Sequence, residues 1–157
     1  WREFNLTHCT PSSRLASSFD LDLITMTPDQ IDRYARHILV REIGGPGQKQ
    51  LLGAHITLIG AGALGGMAAL SLAGAGIGRL TIYDDDKVER SNLHRQLQFG
   101  ENDIGNLKVD ALSDRISNLN GDCEVKAIPE RWESGSGLTK TDVIIDGSDN
   151  FETRFAL

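Results

Sequence analysis

Leu58-Ile59-Gly60-Ala61-Gly62-Ala63-Leu64-Gly65 is the stretch on which the fold of this 157-residue chain turns. A short apolar run, residues 55–59, precedes the turn and reads as a buried strand. A run of small residues, about 64–75, follows it and reads as a helix ended by Gly76-Ile77-Gly78. Gly60 permits the tight exit from the strand. Gly62 lets a phosphate approach the backbone with no side chain in the way, and Gly65 allows the helix to pack closely on the strand. The helix N-terminus itself favours an anion. A glycine pattern of this kind gains meaning from its place between strand and helix. A packing turn that holds no ligand is the competing reading.

Outward from the turn, strands and helices alternate. Residues 79–83 read as a second strand, closing on Asp84-Asp85-Asp86. A polar loop runs to about Gln98. Residues 107–119 look helical, with Leu112, Ile116 and Leu119 on one face. Cys123, Val125 and Ala127 alternate as in a strand, and Val143-Ile144-Ile145 reads as a core strand. The link between these two, 129–142, is about the shortest that can cross between parallel strands, and its Glu133-Ser134-Gly135-Ser136-Gly137 predicts a loop or one helical turn. Another helix is expected from Asn150. Upstream, Thr27-Pro28-Asp29-Gln30 has the form of a capping box with proline at the first helical position, and Met26 can staple to Ile31. Ile31, Tyr34, Ala35, Ile38 and Leu39 continue at helical spacing, with Asp32, Arg33 and Arg36 opposite. Gly44-Gly45-Pro46-Gly47 is expected to break the chain before a short helix over 48–52, ended by Gly53. Repeated strand–helix alternation predicts an α/β fold, a Rossmann-like parallel sheet with flanking helices. We expect residues 1–25 to be a disordered or non-native extension and 26–157 to be the folded part. Phe155-Ala156-Leu157 lies inside an apparent helix with no stop signal, so the fold is expected to be truncated at the C-terminus.

Composition narrows the function. The net charge is −6 and the pI about 5.1, which argues against a nucleic-acid partner. Cys9 and Cys123 form no Cys-x-x-Cys pair, so no zinc site of the usual spacing is expected in this chain, and a reducing, cytoplasmic setting fits. Residues 58–78 carry no charge and are long enough to span a bilayer, but seven of them are glycine. Strand, turn and helix in series account for them better than a membrane span, so no membrane association is expected.

The chemistry concentrates after the second strand. Asp84 sits where a carboxylate can accept ribose hydroxyls, which fits NAD as well as ATP. The next segment separates the two. Asn92 and Arg95 follow the nucleotide turn closely, and Lys108 opens a helix. Hydride transfer has little use for so many phosphate-seeking groups, whereas expulsion of pyrophosphate from ATP requires them. Asp149, at the C-terminal end of the last strand, can hold Mg²⁺ beside the phosphates, cap the following helix, or do both.

These residues fall into a series of motifs that resembles one family. Arg33-Tyr34-Ala35-Arg36-His37-Ile38-Leu39, the glycine turn, Asp84-x-Asp86 with Ser91-Asn92-Leu93-x-Arg95-Gln96, Asp103-Ile104-Gly105-x-x-Lys108, and Asp146-Gly147-Ser148-Asp149-Asn150-Phe151-x-x-Arg154 stand in the order found in the ThiF/MoeB/HesA family, relatives of ubiquitin-activating enzymes. The resemblance implies an adenylyltransferase. It implies MgATP, a homodimer, and a ubiquitin-like sulfur-carrier protein whose C-terminal Gly-Gly is converted to an acyl-adenylate for molybdopterin or thiamine biosynthesis. It places Gly60, Gly62, Ala63, Gly65, Asp84, Asp86, Asn92, Arg95 and Lys108 on the nucleotide. Arg95, Lys108, Asp149 and a partner-reaching Arg36 would carry the catalysis, with Asp149 on the metal. The family usually has glycine where Ala63 stands. Its second half, with the carrier-binding sheet and often a four-cysteine zinc site, has no counterpart in these residues, so the isolated chain is expected to be inactive. An NAD(P)-dependent oxidoreductase and a non-catalytic nucleotide-binding fragment are the alternatives.

Overall fold

From Ile56 to Ile59 the first strand is buried on both faces, as a strand with helices packed on either side must be. The computed structural model describes residues 26–133, 140–149 and 153. In chain order the elements are α1 (Pro28–Arg33), α2 (Ala35–Ile38), α3 (Gly44–Gly53), β1 (His55–Ile59), α4 (Ala63–Ala75), β2 (Arg79–Tyr83), two 3₁₀ turns (Arg90–Asn92 and Glu101–Asp103), α5 (Lys108–Leu119), β3 (Glu124–Ile128) and β4 (Val143–Asp146). The four strands are parallel and run in the order β3-β2-β1-β4. Ile56 pairs with Leu80 on one side and Val143 on the other, and Leu80 pairs onward with Val125. Helix α4 connects β1 to β2, and α5 connects β2 to β3.

Ile56, Leu58, Leu80 and Ile82 from the sheet meet Ala69 and Ala73 of α4 and Val109, Leu112 and Ile116 of α5 in the main core. Alanine on the buried side of α4 keeps that helix close to its neighbours. Gly76, at φ +91°, ends it in the left-handed conformation that favours glycine.

Sequence and structure part company at the N-terminal helices. The capping box forms as expected, with Thr27 Oγ1 accepting from the Gln30 N–H and Gln30 Oε1 from the Thr27 N–H. The expected continuous helix is two, broken at Tyr34, and Leu39 is 77% exposed. Tertiary contacts set the break. The Tyr34 ring is buried, and its hydroxyl accepts a 2.8 Å hydrogen bond from Asn120 Nδ2, which also donates to the Ala73 carbonyl. Burial pushes the Tyr34 phenol above its usual pKa. Gln48 is equally buried; its Nε2 donates to the Ala75 carbonyl and its Oε1 meets His37 Nδ1 at 2.9 Å. These amides dock the N-terminal segment on the C-terminal end of α4.

Residues 44–47 do not break the chain either. They open α3, where Pro46 occupies the first turn and removes an N–H that has no partner within the helix. Leu119 is 46% exposed, off the buried face of α5. Residues 143–145 form an edge strand, with Val143 50% and Ile144 38% exposed, and not the core strand their composition suggested. The expected extension over 1–25 and the helix from Asn150 lie outside the described residues, apart from Thr153, as do residues 134–139 of the link before β4. Among the described residues no helix is long and apolar enough to cross a membrane.

Candidate functional site

Chain order reverses between β1 and β4, because α4 leads from β1 to one side while β4 adds on the other. In an open parallel sheet such a reversal leaves a crevice at the C-terminal strand ends. Here it holds a cavity of about 670 Å³, walled by the glycine turn, the loop after β2, the start of α5, residues 131–132 after β3 and residues 147–149 after β4.

The glycine turn is shaped by close contacts. Gly60 has φ +89°. A Cβ on Gly65 would lie 1.9 Å from the Gly60 carbonyl oxygen, and one on Gly147 would lie 2.9 Å from the Gly65 Cα. Three glycines thus let β1, α4 and the end of β4 abut. Gly62 faces open space and is the N-cap of α4, with no side-chain cap. The first N–H groups of a 13-residue helix are therefore left for an external acceptor beside the cavity, a ready anion site.

Asp84 braces this turn. Its Oδ2 accepts the Ala61 N–H at 2.7 Å and its Oδ1 accepts the Asp86 N–H at 2.9 Å. Burial pushes the carboxyl pKa up, against the pull of those two N–H groups and of Lys108. Lys108 is almost wholly buried, and its ammonium lies 2.6 Å from Asp86 Oδ2. Backbone bonds from Lys108 N to Asp86 O and from Val88 N to Asn106 O staple the acidic loop to the start of α5. Asn92 is buried, and its Oδ1 accepts the Glu89 N–H. Arg95 is exposed, and its Nη1 donates to the Ser91 carbonyl and meets His94 Nε2, each at 3.0 Å. Asp146 Oδ1 accepts from both the N–H and hydroxyl of Ser148, a turn that presents Asp149 to the cavity.

Gly60, Gly62, Ala63, Asp84, Asp86, Asn92, Arg95, Lys108 and Asp149 therefore line one cavity, although they span 90 positions of sequence. Gly65 does not line it; its space is filled by packing against Gly60. Arg36 is exposed on α2 and is not among the lining residues, so it is not part of this site within one chain. Ala63 is the first residue of α4, on the cavity wall.

Sequence reasoning passed over several residues. Gln98 is 4% exposed, and its Nε2 donates to the carbonyls of Ala61 and Gly62. Arg131 lines the cavity with no ion pair among the described residues. Trp132 is buried with Ile59 and Tyr83. Arg131 and Trp132 belong to a link read as a loop or a single helical turn, and Gln98 closes a loop that gave no periodic signal. A buried tryptophan next to a strand end was the one usable hint.

Similarity to known proteins agrees with this geometry. The chain is 39% identical over 137 residues to the SAMP-activating enzyme E1 of Haloferax volcanii, covering 85% of this chain and 51% of that protein. It is 41% identical over 125 residues to the sulfur carrier protein ThiS adenylyltransferase of Escherichia coli, covering 78% and 50%. Among solved structures, the E. coli tRNA N6-threonylcarbamoyladenosine dehydratase, TcdA, in complex with ATP superposes with a TM-score of 0.75 at 25% identity, covering 84% of this chain and 55% of that one. The chain thus spans about half the length of these relatives. Residues 34–157 match the ThiF family, and with the glycine turn, the braced acidic loop and the cation-bearing cavity in that family's order, this chain belongs to the ThiF family.

Proposed function

We propose that this chain is the ATP-binding part of an adenylyltransferase that activates the C-terminal glycine of a ubiquitin-like sulfur carrier. The observation that carries the reading is one cavity holding an uncapped helix N-terminus, a carboxylate beside it, and the cations Arg95, Lys108 and Arg131. Relatives at 37–41% identity are named as adenylyltransferases of sulfur carriers or of molybdopterin synthase.

In the proposed reaction a carboxylate oxygen of the carrier attacks the α-phosphorus of ATP. The bond from that phosphorus to the bridging oxygen breaks, and pyrophosphate leaves with the electron pair. No proton needs to move, so the residues work by positioning and by neutralising charge. The N–H groups at the start of α4 and the glycine turn receive phosphate. Asp84 faces the ribose; each of its oxygens already accepts one N–H and keeps a lone pair for a hydroxyl. Asp86 and Asn92 line the same nucleotide site. Arg95 and Lys108 take up the charge that develops on pyrophosphate.

Asp149 fits a magnesium ion. Mg²⁺ is usually held by one or two carboxylates together with substrate phosphates, and Asp149 lines the same cavity as the start of α4, whereas Asp84 and Asp86 are engaged by N–H groups and Lys108. The ion would supply charge neutralisation on the phosphates. We further propose a cytoplasmic homodimer in which Arg36 reaches the partner's phosphates, a role in molybdopterin or thiamine biosynthesis, and no turnover by residues 1–157 alone.

The dehydratase in the comparison is named for a tRNA substrate. The acidic net charge and the higher identity to carrier adenylyltransferases favour the protein carrier. Calorimetric titration separates the nucleotide readings. ATP is expected to bind saturably, more weakly as salt is raised, and NADH not at all. Saturable NADH binding without ATP binding would favour an oxidoreductase and overturn the proposal.

A further inference from the structure

The glycine turn is held from two sides. Asp84 takes the Ala61 N–H, and Gln98 Nε2 takes the Ala61 carbonyl at 3.1 Å and the Gly62 carbonyl at 3.0 Å. The Gly62 carbonyl also accepts the first bond of α4, from the Gly66 N–H at 2.9 Å. Gln98 is nearly inaccessible to water and its Oε1 has no hydrogen-bond partner. A buried amide that leaves its acceptor unmet is costly, so its two donations are what retain it there. The seat is made by Gly66, on whose α-carbon a Cβ would come within 2.2 Å of Gln98 Nε2 and 2.5 Å of its Cδ.

We propose that Gln98 is a positioning residue for the phosphate turn. By drawing two consecutive carbonyls toward the protein interior, it fixes the peptide planes of Ala61 and Gly62. A peptide carbonyl and the N–H that follows it lie in one plane and point opposite ways. Holding the carbonyls of Ala61 and Gly62 inward therefore turns the N–H groups of Gly62 and Ala63 outward, and both residues line the cavity. Gly66 has to lack a side chain because the amide occupies the space a methyl group would take. This inference rests on the reading that the turn receives nucleotide phosphate.

Two variants break the contact from opposite sides. Gln98→Met keeps the length of the side chain and removes the donor. Gly66→Ala keeps the glutamine and fills its seat. Titration with ATP, and with adenosine by ligand-observed NMR, separates phosphate contacts from the rest of the pocket. Both variants are expected to lose about tenfold or more in ATP affinity while adenosine affinity stays within twofold. Equal ATP affinity in wild type and both variants, or parallel loss of ATP and adenosine, overturns the inference and leaves the nucleotide reading standing. If Gln98→Met does not fold, Gly66→Ala decides alone by the same ratio. A wild-type protein that binds neither ligand overturns the nucleotide reading and this inference with it.

Discussion

Carrier-dependent ATP–pyrophosphate exchange by a full-length protein carrying this chain is expected to fall by roughly 10²–10³-fold when Arg95 is replaced by alanine. The size follows from where the charge is made. As pyrophosphate departs, negative charge grows on its oxygens, and a cation already in place stabilises that charge without reorganisation. Arg95 lines the cavity, is tethered to the Ser91 carbonyl and the His94 ring, both uncharged partners in these contacts, and has no ion pair among the described residues, so its charge is available. Lys108 differs, because Asp86 already balances it. Asp149→Asn is expected to lower the same exchange comparably, with added Mg²⁺ restoring part of it. Neither change touches the core, so the melting temperature is expected to stay within about 2 °C of wild type, since surface substitutions seldom move stability by more than a few tenths of a kcal/mol. Exchange that survives both substitutions undiminished would remove these residues from the site.

Gly65→Ala is expected to reduce stability by at least about 3 kcal/mol, a fall in Tm on the order of 10 °C, or to prevent folding. The added Cβ would sit 1.9 Å from the Gly60 carbonyl oxygen, which is backbone and cannot turn aside. Relief requires α4 to move off β1, and that opens the contact with Gly147 as well. Gly74→Ala in the same helix is the control. Its Cβ would meet only Leu119 Cδ2 at 3.9 Å, an ordinary contact. Replacing a helical glycine by alanine then gains up to roughly 0.5–1 kcal/mol, the lower end applying to Gly74 in the last turn. The same chemical change at two positions of one helix, Gly65 and Gly74 of Ala63–Ala75, should thus move stability in opposite directions. Thermal unfolding of the two variants checks this, and a tolerated Gly65→Ala would contradict the packing described here.

The central α/β unit was legible because its signals are local. A five-residue apolar run, a glycine turn and a helix of small residues each carry their own pattern, and β1, α4, β2 and α5 fall within a residue or so of the expected bounds. The N-terminal helices were less legible because their form is set from afar. Nothing near Tyr34 announces that Asn120, 86 residues later, will fix its hydroxyl. β4 is as apolar as β1, but exposure at a sheet edge depends on what lies beside the strand and not on the strand's own sequence.

The site divides along the same line. Asp84, Asn92, Arg95, Lys108 and Asp149 were visible as motifs, and the fold brings them to one cavity. Gln98, Arg131 and Trp132 were not: the contacts of Gln98 and Trp132 are distant in sequence, and Arg131 reaches the cavity from a link with no pattern of its own. Structure also sharpened roles already assigned. Gly65 serves packing and does not face the cavity, and Asp84 is a brace for the turn whatever else it contacts.

On the proposed function, this cavity serves adenylation of a carrier carboxylate. The most direct test incubates the full-length protein with MgATP and a ubiquitin-like carrier ending in Gly-Gly, then weighs the carrier by mass spectrometry. The expected result is AMP joined to the C-terminal glycine with pyrophosphate released in equal amount, and neither product when the terminal glycine is deleted. An unmodified carrier with no pyrophosphate formed, under conditions where the protein binds ATP, would contradict it.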